Sequence, residues 1–79
     1  MNKTEFYRNL NELLDADPGA IKGDDLLADL ENWDSMAVVS FIAMADEKYG
    51  VNIPARRIAG CQRVDDLAAL IAELQSVPQ

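Results

Sequence analysis

The chain has 79 residues, one cysteine, no histidine and a net charge of −7, which suits a single domain over residues 1–79 with no internal disulfide. Without histidine it has no Ser-His or Cys-His nucleophile pair and no N/S ligand set for zinc, so neither an enzyme nor a metal site is expected. Acids exceed bases only within residues 1–55, while residues 56–79 balance, and such a chain is drawn to basic protein patches rather than to nucleic acid or anionic lipid.

Taken in chain order, the first helix is predicted over about Lys3 to Asp15, with Phe6, Leu10, Leu13 and Leu14 on one face. Asp17-Pro18-Gly19 reads as the turn that stops it. The long connection from Ala16 to Asp34 contains Leu26, Leu27, Leu30 and Trp33. These are too apolar to be left in water, so the loop is expected to be pinned over the core, with one helical turn between Asp25 and Leu30. Trp33 reads as a cover for the core beneath that loop.

The second helix is predicted over Ser35 to Tyr49, with Val38, Phe41, Ile42, Ala45 and Tyr49 as its stripe. Gly50 suits the left-handed residue that ends a helix. Pro54 opens a short third helix, Ala55 to Ala59, because a missing N–H is harmless there. Gly60 closes it. A fourth helix is predicted over Val64 to Gln75, with Asp65 and Asp66 favourably placed in its first turn. No segment alternates with period two. The fold class is all-α: a four-helix bundle with three longer helices, a short third helix and a long loop between the first two. No apolar stretch follows Lys3, and the run Met36 to Ala45 is too short to span a bilayer, so a cytoplasmic protein without membrane insertion is expected. The net charge favours a monomer.

Trp33-Asp34-Ser35-Met36 stands directly ahead of the clearest helix. Alone, Asp or Ser at that point is an ordinary N-cap. Joined to Tyr49-Gly50-Val51-Asn52-Ile53-Pro54 at the helix end, the pattern resembles the acyl carrier protein family. That family opens its second helix with Asp-Ser-Leu and closes it with aromatic-Gly-aliphatic-x-Ile-Pro. The resemblance covers nearly the whole chain, including Val64-Asp65-Asp66-Leu67 at the start of the last helix.

The resemblance implies a carrier of acyl groups, held as thioesters on a 4′-phosphopantetheine arm attached to Ser35. A phosphopantetheinyl transferase (holo-carrier synthase) would supply the arm from coenzyme A. Asp34 and Met36 match the positions that help the transferase recognise the site. Acyl-loading, condensing or acyltransferase enzymes are the further partners implied. Val39, Ala43, Asp46 and Glu47 match the face that docks them. Phe41, Ile42, Ala45 and Ile58 match the walls of an acyl pocket. A peptidyl or aminoacyl carrier shares the fold and the modified serine, and an unmodified helical adaptor is the reading without an arm.

Departures from the family point to a dedicated polyketide, lipopeptide or surface-lipid route rather than housekeeping fatty-acid synthesis. Ala37, Ser40 and Ala43 stand where fatty-acid carriers place acids, and Ala55, Arg56 and Arg57 follow Pro54. The loop before Asp34 is one residue longer and carries Trp33. Cys61 reads as a small packing residue rather than a reactive thiol.

Overall fold

Four helices form in the computed structural model, which describes residues 2–17 and 19–76. α1 is Lys3–Leu13, α2 Ser35–Tyr49, α3 Ala55–Ala59 and α4 Val64–Ser76. This is the expected all-α arrangement, with the long connection between α1 and α2.

α1 begins where Asn2 accepts the Glu5 N–H (3.2 Å), a side-chain N-cap. It ends short of Asp15 and of the turn expected at Asp17 to Gly19; Pro18 of that turn lies outside the described residues. Asp15 itself makes the stop, left-handed at φ 54°. Its N–H donates to the Glu12 carbonyl (3.2 Å) and that of Ala16 to the Asn11 carbonyl (2.9 Å), the paired bonds of a Schellman end. Gly50 closes α2 at φ 68°, where the absence of a Cβ removes the penalty of that conformation.

The connection is held at both ends. Asn32 Nδ2 donates to the Leu14 carbonyl (2.7 Å). Further along, the Gly23 and Asp25 carbonyls accept the N–H groups of Asp65 (2.9 Å) and Val64 (3.0 Å). Loop carbonyls therefore satisfy donors that the first turn of α4 would leave open. The expected helical turn is a single 3₁₀ turn, Leu27–Asp29. Ile21 and Leu27 are buried, and Leu30 and Trp33 are half-buried against the core. Leu26, expected to be covered, is 38% exposed. It pairs with Arg63 in an isolated antiparallel bridge, and alternation along extended backbone turns it outward as Leu27 turns in.

Phe6 and Leu10 of α1, Phe41 and Ala45 of α2, and Val64, Leu67 and Ile71 of α4 are fully buried together. Phe6 meets Phe41 edge-on, with ring centroids 6.2 Å apart. Along α2, Val38, Ile42 and Tyr49 are only half-buried, and Ala37 and Met44 complete the buried set. α1 also buries Asn9, which the apolar stripe did not announce. Its amide donates to the Tyr49 hydroxyl (3.0 Å) and accepts from Lys48 Nζ (3.1 Å). This small polar network fixes α1 against the last turn of α2.

Candidate functional site

Asp34 and Ser35 sit at the point where the loop becomes α2. Asp34 has an extended backbone and is the N-cap: its Oδ1 accepts the Ala37 N–H (2.8 Å). Its carbonyl accepts the Val38 N–H (3.0 Å). Ser35 is the first helical residue and is exposed, and its hydroxyl has no hydrogen-bond partner among the described residues. The sequence allowed either residue to cap; the structure gives that role to the aspartate and leaves the serine oxygen unengaged. The N–H groups of Ser35 and Met36 also lack acceptors among the described residues. With the positive end of the helix dipole, they make this terminus receptive to an anionic group. The Asp34 carboxylate opposes that attraction, but the cap bond turns it toward Ala37.

From this point an exposed stripe runs down α2. Met36 is 76% exposed and Val39 65%. Ser40, Ala43, Asp46 and Glu47 follow on the same face, all exposed. The stripe is uncharged and partly apolar near Ser35 and acidic only at its far end. The sequence singled out Val39, Ala43, Asp46 and Glu47; exposed Met36 extends the same surface. Neither Asp46 nor Glu47 forms an ion pair among the described residues.

Of the four residues expected to wall an acyl pocket, three are buried in the core. Phe41 and Ala45 have no exposed surface and Ile58 is 3% exposed. Ile42 is half-buried at the edge of the core. Of the four, Ile58 lines an opening. That opening is a groove of about 290 Å³ lined by Leu27, Ala28 and Trp33 of the loop, Val38 of α2, and Ala55 and Ile58 of α3. Trp33 does cover the core, packing edge-on against Phe41 at 6.1 Å, and it also lines this groove. The sequence favoured covering the core over a cargo contact for this residue, and loop residues carry no periodic signal that would place it in the groove.

Cys61 lies at the end of the groove, half-buried. Burial pushes its thiol above the usual range, the Asp66 charge adds to this, and Arg57 only partly offsets it. A raised pKa favours the protonated thiol, in keeping with the packing role expected of it. On α3, Arg57 pairs with Glu73.

Residues 6–71 match the family described as phosphopantetheine attachment site. The chain is 28% identical over 72 residues to an acyl carrier protein of Rhodococcus erythropolis, an alignment covering 91% of this chain and 79% of that one. It is 30% identical over 66 residues to the meromycolate extension acyl carrier protein of Mycobacterium bovis, covering 84% of this chain but only 57% of the relative. The counterpart from Mycolicibacterium smegmatis is 29% identical, and the chain spans 67% of its length. No solved structure matches.

Proposed function

The chain belongs to the phosphopantetheine-attachment family, whose members are carriers and not enzymes, and from that premise we propose that Ser35 bears the 4′-phosphopantetheine arm and that the chain, as one carrier domain, transports acyl groups. The observation that carries the assignment is the exposed, unengaged Ser35 hydroxyl beside a cap supplied by Asp34. In the attachment step the Ser35 oxygen bonds to the β-phosphorus of coenzyme A's pyrophosphate. The P–O bond to the adenosine bisphosphate breaks, and the hydroxyl proton passes to a base on the transferase. When bound, the arm supplies a thiol that holds acyl groups as thioesters. The chain's own contribution is positional: a rigid helix end, spare N–H groups for the phosphodiester, and an exposed α2 face for partners to read.

Val39, Ala43, Asp46 and Glu47, together with Met36, form the docking face in this reading. Its apolar part lies near the arm and its acids lie a few turns away, where basic side chains of a partner can meet them. The relatives are named acyl carriers, which favours acyl over aminoacyl cargo. The missing acids on α2 and the arginines on α3 favour a dedicated lipid or polyketide route. If instead the ordinary fatty-acid elongation enzymes turn over the acylated protein as fast as their usual carrier, that assignment of route fails.

Intact-mass measurement tests the attachment itself. Incubation with coenzyme A, Mg²⁺ and a broad-specificity phosphopantetheinyl transferase should add one phosphopantetheinyl group, and Ser35→Ala should add none. No gain with several transferases would leave an unmodified helical adaptor as the reading.

A further inference from the structure

Among the described residues α1 buries two asparagines, and they differ in how they are satisfied. Asn9 donates to the Tyr49 hydroxyl and accepts from Lys48 Nζ. Asn11 is equally buried, 8% exposed, yet its Oδ1 has no hydrogen-bond partner among the described residues. A buried acceptor left in that state is costly. Asn11 lines a groove of about 610 Å³ formed by α1 and the first part of the connection to α2. Half-buried Tyr7 and Ala16 and buried Ile21 give this groove an apolar wall. The Tyr7 hydroxyl is already engaged by Asp65, which leaves its ring as its contribution. The charged residues of the lining are Arg8, Glu12 and Asp15, all exposed. Both acids stand at the C-terminal end of α1, where the helix dipole is negative and a base is preferred. α1 has no base in its last turn. Glu12 lies in that turn and Asp15 just beyond it, and neither forms an ion pair among the described residues. Arg8, one turn nearer the N-terminus, offsets only part of this charge. Two local preferences are therefore broken together, an unpaired buried acceptor and a helix end without a cation, and one ligand would repair both.

We infer that this groove is a docking surface separate from Ser35 and the α2 face, and that it seats an arginine side chain of a partner protein. The stem of an arginine is apolar and covers Tyr7, Ala16 and Ile21. Its guanidinium carries five N–H donors in a planar fork, enough to serve Asn11 Oδ1 and the Glu12 and Asp15 carboxylates at once. A lysine concentrates its donors on one atom and suits this spread less well. The Asn11 amide turns about a broad terminal torsion, so a small rotation brings its oxygen to the groove. None of the lining residues belongs to α2, α3 or α4. A partner held here therefore leaves Ser35 and the exposed stripe of α2 free for whatever acts on them. The inference stands whether or not Ser35 carries an arm.

The probe is the capped tripeptide acetyl-Ala-Arg-Ala-amide, titrated into the ¹⁵N-labelled chain and followed by two-dimensional NMR. Versions with citrulline, which keeps the shape without the charge, and norleucine, which keeps only an apolar stem, are titrated alongside. Saturable shifts should appear at Tyr7, Asn11, Ala16 and Ile21, the Asn11 side-chain amide included, and not along α2. The arginine peptide should bind about tenfold more tightly than the norleucine one, with citrulline between them. Glu12→Gln/Asp15→Asn changes two exposed positions and should erase the advantage of arginine over citrulline. Asn11→Leu should weaken the arginine peptide several-fold and yet raise Tm, because an apolar side chain of similar size removes an unsatisfied buried acceptor. A fall in Tm in Asn11→Leu would make the asparagine a structural residue satisfied by water and overturn the inference. Equal binding of the three peptides, no saturable shift, or shifts along α2 instead would overturn it as well. If n-propylguanidine binds as tightly as the arginine peptide, the groove takes a free organic cation and the partner assignment fails. It also fails if binding disappears once a phosphopantetheine arm has been added to Ser35, since the arm itself would then be the occupant.

Discussion

Asp34 has two separable roles at the residue scale. As N-cap it satisfies the Ala37 N–H, and loss of such a cap costs about 1 kcal/mol. Asp34→Ala should lower the urea midpoint accordingly at unchanged slope. Asp34→Asn keeps a capping oxygen and should leave stability within a few tenths of a kcal/mol. Both variants should slow arm addition to a similar degree, because both remove the charge proposed to guide the transferase. If only the alanine variant is slow, helix-end geometry and not charge is what the transferase reads. Asp66 is a purely structural counterpart at the start of α4. Its carboxylate accepts the backbone N–H groups of Arg63 and Gln62, both at 2.9 Å, which holds its pKa below the ordinary 3.8. A folded-state pKa below the unfolded one means that the ionised form stabilises the fold above the unfolded value, and that this contribution fades as pH falls through the folded value. Asp66→Asn should therefore lower Tm at pH 7, and its difference from the parent should close in scans below the ordinary carboxylate range. A difference that persists unchanged at low pH would show that shape, not charge, is what Asp66 contributes.

The junctions at the element scale separate what was readable in sequence from what was not. α2, α3 and α4 begin and end within a residue of expectation, because their punctuation is local: Asp34, Gly50, Pro54 and Gly60 each act through their own backbone or side chain. α1 stops early because an aspartate adopts the left-handed residue of its Schellman end, a position where glycine is the usual signal. Asp15→Gly should accordingly raise stability by about 0.5–1 kcal/mol, read from the urea midpoint, since it relieves the Cβ penalty. The pinning of the loop was legible from its leucines and Trp33, but its register was not. That register is set by backbone bonds to residues 62–65, which carry no side-chain pattern. One side chain does report it: a Cβ at Gly23 would collide with the Asp65 carboxylate and the Tyr7 hydroxyl, which are bonded to each other at 2.6 Å. Gly23→Ala must displace that pair, and a cost of roughly 1–2 kcal/mol is expected, with earlier hydrogen exchange at Val64 and Asp65 than elsewhere in α4. The candidate site was legible in the same uneven way. Ser35 stood out through its spacing to Gly50 and Pro54, whereas the groove depends on which loop residue meets α3, a tertiary fact.

The uneven charge sets how partners find the molecule as a whole. The net charge of −7 arises entirely before residue 56, yet the exposed α2 face nearest Ser35 is uncharged and only Asp46 and Glu47 mark its far end. Long-range attraction to a basic partner should therefore bring the chain close, while Met36 and Val39 make the final apolar contact. The two contributions respond differently to salt, because exposed charges are screened beyond a Debye length of about 8 Å at physiological ionic strength and apolar contact is not. With a basic-faced transferase as probe, the second-order rate of arm addition should fall several-fold on raising salt from about 50 to 500 mM. In Asp46→Asn/Glu47→Gln that dependence should flatten, and the rate at high salt should match the parent. Val39→Asp should do the reverse, slowing arm addition at every salt concentration without changing the slope much. Because both substituted surfaces are exposed and remote from the core, unchanged helix content and Tm should accompany these effects. If Val39→Asp is as fast as the parent while the acidic pair governs the rate at high salt as well as low, docking is electrostatic throughout. The apolar stripe beside Ser35 would then have no part in it.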